Sequence, residues 1–238
     1  MRLTAIQSTL CVVYDTMVQS ELDAGMQPRF GSRGDVIVNE IKKAILSGRY
    51  KAGSALTEKA IAEELGTSKT PVRDALKVLS GTGLVTSSSH RGTAVRSVDA
   101  PMALAVCDLR LLLEPEAVRR TVLGGLDAGF NAAVERMVSA EDGDDVYERS
   151  LANRAFHRHL YAGCANAALV GVLDELTDVN ALISVTVWEH VGSWVGEAAE
   201  HRKMAKDALA GRVDATAGRL RRHIEQFQRR VVQALGSA

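Results

Sequence analysis

Lys69, Arg73 and Lys77 stand at i, i+4 and i+8 in TSKTPVRDALKVLSGTGLV, residues 67–85. On a helix that spacing aligns three cations in one stripe. Such a stripe suits phosphate oxygens and, through the forked guanidinium of Arg73, the O6 and N7 edge of guanine. Val72, Leu76 and Leu79 fall on the opposite face, where they can hold the helix to a small core. Taken alone, the stripe reads as a solvated surface helix, and its neighbours must decide. The histidines are a second set of candidates. NRAFHRHL puts Asn153 and His157 at i and i+4, EHRKMAKDAL carries His201, and RLRRHIEQF carries His223. A lone helical histidine is usually structural, although imidazole also suits Zn²⁺, Ni²⁺ or Mn²⁺. Arg110 and Glu114, again i and i+4, are either a helix-surface ion pair or an arginine available to a ligand carboxylate.

The elements that must position these residues are legible in the pattern. Residues 1–30 show no sustained periodicity and read as a loosely ordered tail. DVIVNEIKKAILSG, 35–48, puts Val38, Ile41, Ala44 and Ile45 on one helical face. A second helix follows Thr57 as N-cap, with Ala60, Ile61 and Leu65 as its apolar stripe. The third begins after Ser68, with Pro71 in the first turn, where a missing N–H leaves no bond unmade. Leu84-Val85 and Thr93–Val95 read as two short strands about a polar turn. Three helices and a hairpin within about 65 residues is the order of a winged helix-turn-helix.

Residues 101–236 read as all helix, about six helices forming an antiparallel bundle, with Leu109, Leu112, Leu113 and Val118 as the core face of the first. The expected fold class is therefore mainly α, with a winged head at 31–98 and an all-α bundle at 101–236.

Composition is consistent with this. The 238-residue chain has zero formal net charge, but residues 29–97 hold 12 Lys and Arg against 6 Asp and Glu. The positive surplus sits in the segment expected to meet phosphates. No apolar run reaches the roughly 18 residues that span a bilayer, and the amino-terminal stretch is a poor signal peptide. Cys11, Cys107 and Cys164 form no CxxC pair, which points to a cytoplasmic protein with reduced thiols.

ILSGRYKAGSALTEKAIAEELGTSKTPVRDALKVLSGTGLVTSSSHRGTAV closely resembles the DNA-binding domain of the GntR family of bacterial transcription regulators. The resemblance covers roughly residues 34–97. It places Lys59, Ser68, Lys69, Thr70, Arg73, His90 and Gly92 at DNA-contact positions, although His90 by itself reads equally as an exposed loop histidine. The helical remainder resembles the FCD ligand-binding domain of the FadR-type branch, and six helices favour its VanR-like subgroup. That resemblance implies a divalent metal (Zn, Ni or Mn) held by Asn153, His157, His201 and His223, and a cavity into which Arg110 can point toward an effector carboxylate. Many relatives have Asp where this chain has Asn153, so the site carries one negative charge fewer, and the three histidines could instead hold an anion without metal.

The expectation is a homodimeric, ligand-responsive regulator, most often a repressor of a catabolic operon, on a near-palindromic operator. Two alternatives stand beside it. One is a constitutive DNA binder with a purely structural bundle. The other is a metal-dependent enzyme with Glu114 or Glu116 as base, for which the basic head would serve no purpose.

Overall fold

The computed structural model describes residues 33–88, 92–141, 143–192 and 194–236. The amino-terminal tail and His90 lie outside them. The head comprises α1 (Arg33–Leu46), β1 (Ala55–Leu56), α2 (Glu58–Glu64), α3 (Lys69–Gly81), β2 (Val85–Ser88) and β3 (Gly92–Val95). Ile41 and Ile45 of α1, Ile61 of α2, and Val72, Leu76 and Leu79 of α3 close one core with Leu84, Val85 and Val95. The sheet order is β1-β3-β2, both pairs antiparallel, with Val85 opposite Val95 and Ser88 opposite Gly92. β1 was not anticipated. Two residues carry no readable period, and Ala55 and Leu56 are strand only because β3 offers an edge at Ala94 and Thr93. The stripe of α2 is also corrected: Ala62 is buried beside Ile61, whereas Ala60 is exposed.

Among the described residues six helices follow: α4 (Ala100–Gly124), α5 (Phe130–Glu141), α6 (Val146–Tyr161), α7 (Ala167–Val191), α8 (Trp194–Leu209) and α9 (Val213–Leu235). Side-chain caps mark several starts. Asp99 accepts from Met102 N, Asp145 from Tyr147 and Glu148 N, and Asn166 from Leu169 N. The acidic run 141–145 thus ends in a helix cap. No helix among the described residues is long and apolar enough to cross a membrane.

The core face of α4 differs from the expected one. Val118 is buried, but Leu109 and Leu112 are 44% and 73% exposed, and Leu113 is half-buried. The buried stripe runs instead through Ala103, Val106, Cys107, Arg110, Glu114, Ala117, Val118 and Thr121. An apolar-periodicity count assigns Arg110 and Glu114 to solvent. Their mutual pairing lets the helix present that face inward and turns Leu109 and Leu112 out.

Head and bundle touch directly. Lys42 of α1 pairs with Asp178 of α7 at 2.6 Å, and Lys51 pairs with Glu189 at 2.6 Å. Gly83, at φ 78°, lies so close to α7 that a Cβ there would meet Val179 Cγ2 at 2.8 Å.

Candidate nucleic-acid interface and metal centre

Ser68 occupies the N-cap position of α3 but makes no capping bond through its side chain. The first-turn amides and the Ser68 hydroxyl are therefore a ready set of phosphate donors. Ser68, Lys69, Thr70 and Arg73 are all exposed, as is Lys59 on α2, whose Nζ lies 3.8 Å from Glu63. Gly92 opens β3 at φ 72°, with no atom within 4 Å of where a Cβ would stand. A left-handed residue there leaves the wing backbone accessible.

Glu58 escaped the sequence reading. Its carboxylate takes Arg73 Nε at 2.7 Å and Nη2 at 2.8 Å, a bidentate fork. The Arg73 guanidinium holds the Glu58 carboxyl below its ordinary range. Lys77, the last residue of the stripe, pairs with Asp74 at 3.1 Å. The sequence carries no signal of this role for Glu58, because the contact spans 15 positions and two helices.

In the bundle, α6, α8 and α9 bring His157, His201 and His223 together, each offering a ring nitrogen within 4.8 Å of the others. All three are buried, and Asn153, one turn before His157, is buried with it. The set from three separate helices converges as expected. His159 faces elsewhere and pairs with Asp127, and His190 is exposed.

His223 Nδ1 lies 2.9 Å from Glu200 Oε2, which fixes its proton there and leaves the Nε2 lone pair directed inward. That Nε2 stands 3.2 Å from His201 Nε2. Two imidazole nitrogens on one tetrahedral ion at about 2.0–2.1 Å stand roughly 3.3 Å apart. Both nitrogens of His157, Nδ1 of His201 and Oδ1 of Asn153 are buried without a hydrogen-bond partner. Orphaned donors and acceptors in one place are costly unless something satisfies them. The residue set therefore fits a divalent ion, with Asn153 able to add an amide oxygen.

Burial drives the electrostatics. It lowers the His157 pKa against the opposing pull of Glu114, and lowers His201 well below its ordinary value, helped by the neighbouring His223. His223 falls to about 4, again chiefly through burial. Neutral imidazoles at pH 7 are the form that binds a cation.

Arg110 and Glu114 sit beside this centre. Arg110 donates from Nε to Glu114 Oε1 at 2.7 Å, from Nη2 to Oε2 at 3.2 Å, and from Nη1 to Asn180 Oδ1 at 2.9 Å. The pair is buried rather than a helix-surface ornament. Arg110 pulls the Glu114 pKa down to about 2 against the opposing effect of burial. Glu114 Oε2 also lies 3.6 Å from His157 Nδ1. Arg110, Asn153, Arg154, His157, Tyr161 and Asn180 line a small cavity with about 20 Å³ of room.

Comparison with known proteins agrees with both halves. Residues 34–95 match the model for bacterial regulatory proteins of the gntR family, and residues 105–226 match the FCD domain. A protein of Paenarthrobacter nicotinovorans, described as a probable D-xylose utilization operon transcriptional repressor, is 29% identical, covering 81% of this chain and 84% of its own. The Glc operon transcriptional activator of Escherichia coli K12 is 28% identical over 61% of this chain and 66% of its own. A structure assigned to GntR from Rhodococcus sp. RHA1 superposes with a TM-score of 0.75, at 19% identity, covering 86% of this chain and 99% of its own. The winged head, the six-helix bundle and both domain matches lead to one conclusion: the chain belongs to the gntR family of bacterial regulatory proteins and is a DNA-binding transcriptional regulator with an effector-binding FCD domain.

Proposed function

We propose that the protein is a metabolite-released repressor of a catabolic operon, and that its effector is a small carboxylate bound at the histidine centre. The convergence of three buried imidazoles with orphaned nitrogens, beside the buried cation Arg110, carries the reading. His157, His201 and His223 would hold a divalent ion, with Asn153 as an oxygen donor. When bound, that ion supplies a Lewis-acidic anchor for a carboxylate. Arg110 attracts the carboxylate by charge. Glu200 acts behind the ligands, holding His223 in the orientation that directs its ring inward, while Glu114 places a negative charge 3.6 Å from His157.

On DNA, Arg73 reads a base edge, with Lys69 beside it. Lys59, Ser68 and Thr70 meet phosphates, and Gly92 brings the wing close to the backbone. A lone head with one recognition helix buries too little surface for tight operator binding, so the working unit is a homodimer joined through the bundle. The outward-facing Leu109 and Leu112 of α4 support that assignment. The repressing sense draws on the Paenarthrobacter relative. The Escherichia coli activator marks the alternative outcome.

The test combines elemental analysis of gently purified protein with operator titration. The proposal expects about one divalent ion per chain, a melting temperature lowered by chelator and restored by Zn²⁺, Ni²⁺ or Mn²⁺, and operator release by a carboxylate. Metal-free protein with an unchanged melt on metal addition would leave the cluster as an anion site built on Arg110.

A further inference from the structure

Arg154 follows Asn153 on α6 and lines two spaces at once. One is the small cavity beside His157, and the other is a wide cleft, about 670 Å³, between α7 and the head at Gly81–Gly83. Its Nη2 donates to Asp178 Oδ1 at 2.5 Å, while its Nε is buried with no partner. Asp178 is buried as well, and it also accepts from Lys42 of the DNA-binding head, 2.7 Å from Oδ2 and 2.6 Å from Oδ1. One carboxylate thus serves two cations, one at the effector cavity and one on α1. Immediately alongside, Gly83 of the head presses against Val179 of α7. A change in the hold of Asp178 acts at a direct contact between the two domains.

Two cations on one carboxylate compete. They repel each other, and a hydrogen bond released by one leaves the carboxylate more available to the other. The small cavity has room for about one water. An incoming anion must displace a side chain, and Arg154 offers an unpartnered donor at the boundary with the open cleft. Building on the proposal that a small carboxylate is the effector, we infer that Arg154 is a second ligand for it, and that its transfer from Asp178 to the effector leaves Asp178 to Lys42 alone and thereby resets the tie between bundle and head. Binding at the bundle is thus converted into a change in one interdomain ion pair.

Linkage makes this measurable from the head side, because what the effector does to the Lys42 tie, Lys42 must do to effector affinity. Full-length wild type, Lys42→Met, Asp178→Asn and the double variant are titrated with sodium acetate, glycolate and gluconate, following the ligand-dependent rise in melting temperature. Asp178→Asn frees Arg154 and tightens carboxylate binding, while Lys42→Met surrenders Asp178 to Arg154 and weakens it, each by about fivefold or more. In the Asp178→Asn background, Lys42→Met changes nothing. Arg154→Met loses carboxylate binding and keeps operator binding.

An equal effect of Lys42→Met in both backgrounds, fading with salt, is a long-range field and overturns the inference. Undiminished carboxylate affinity in Arg154→Met overturns it too. Failure of all three carboxylates to bind wild type is a different result. It removes the carboxylate reading itself, and this inference with it.

Discussion

Acid should weaken the bundle through His223 in a calculable way. The ordinary imidazole value is 6.5 and the folded protein holds His223 at about 4, chiefly by burying it between α8 and α9. The unfolded chain therefore binds more protons than the folded one between those two values. Stability is complete above pH 6.5 and falls as pH drops through the window, levelling off below about 4. At pH 5 the unfolded state gains by a factor of roughly 30, which is ~2 kcal/mol. For a chain of this length that lowers the melting temperature by about 4–8 °C.

His157 and His201 shift in the same direction, so the whole centre acts with one sign. The assay is thermal unfolding in chelator at pH 7 and pH 5, for wild type and His223→Gln. The variant cannot titrate there, so its drop between the two pH values should be smaller by ~2 kcal/mol. Equal drops in both proteins would refute the claim that His223 is held neutral by burial. Adding Zn²⁺ at pH 7 should then stabilise wild type by about 2.7 kcal/mol at a hundredfold excess over Kd, and acid should reverse it.

Arg73→Ala should abolish discrimination between operator and scrambled DNA while leaving fold and dimer intact, checked by gel shift at fixed salt; an unchanged affinity ratio removes Arg73 from base readout. Lys59→Ala should instead weaken both affinities and flatten the salt slope by about one unit. Residues 33–99 alone should sediment as a monomer and bind operator at least about tenfold more weakly. Asn153→Asp should tighten metal by restoring a charged oxygen donor, read by calorimetry. His201→Ala should lose the metal response and effector-driven release yet still bind operator, because the DNA-contact residues lie on α2, α3 and the wing, away from the histidine centre.

The local elements were legible in the sequence because their causes are local. The period of Val72, Leu76 and Leu79 settles α3, Gly66 and Gly83 punctuate the turns before and after it, and caps such as Asp145 begin their own helices. Spacing alone also put Asn153 and His157 on one face, because i and i+4 always meet on a helix. What joins different elements was not legible. Glu58 finds Arg73 across two helices, Glu200 finds His223 across α8 and α9, and Asp178 gathers Arg154 and Lys42 from two domains. The inward turn of α4 belongs to the same class. Read by hydropathy, Leu109 and Leu112 face the core, yet the tertiary structure buries Arg110 and Glu114 because each neutralises and hydrogen-bonds the other. Periodicity reports the preference of each side chain for water. A buried charge depends on its partners, and partners are brought together only by the packed fold.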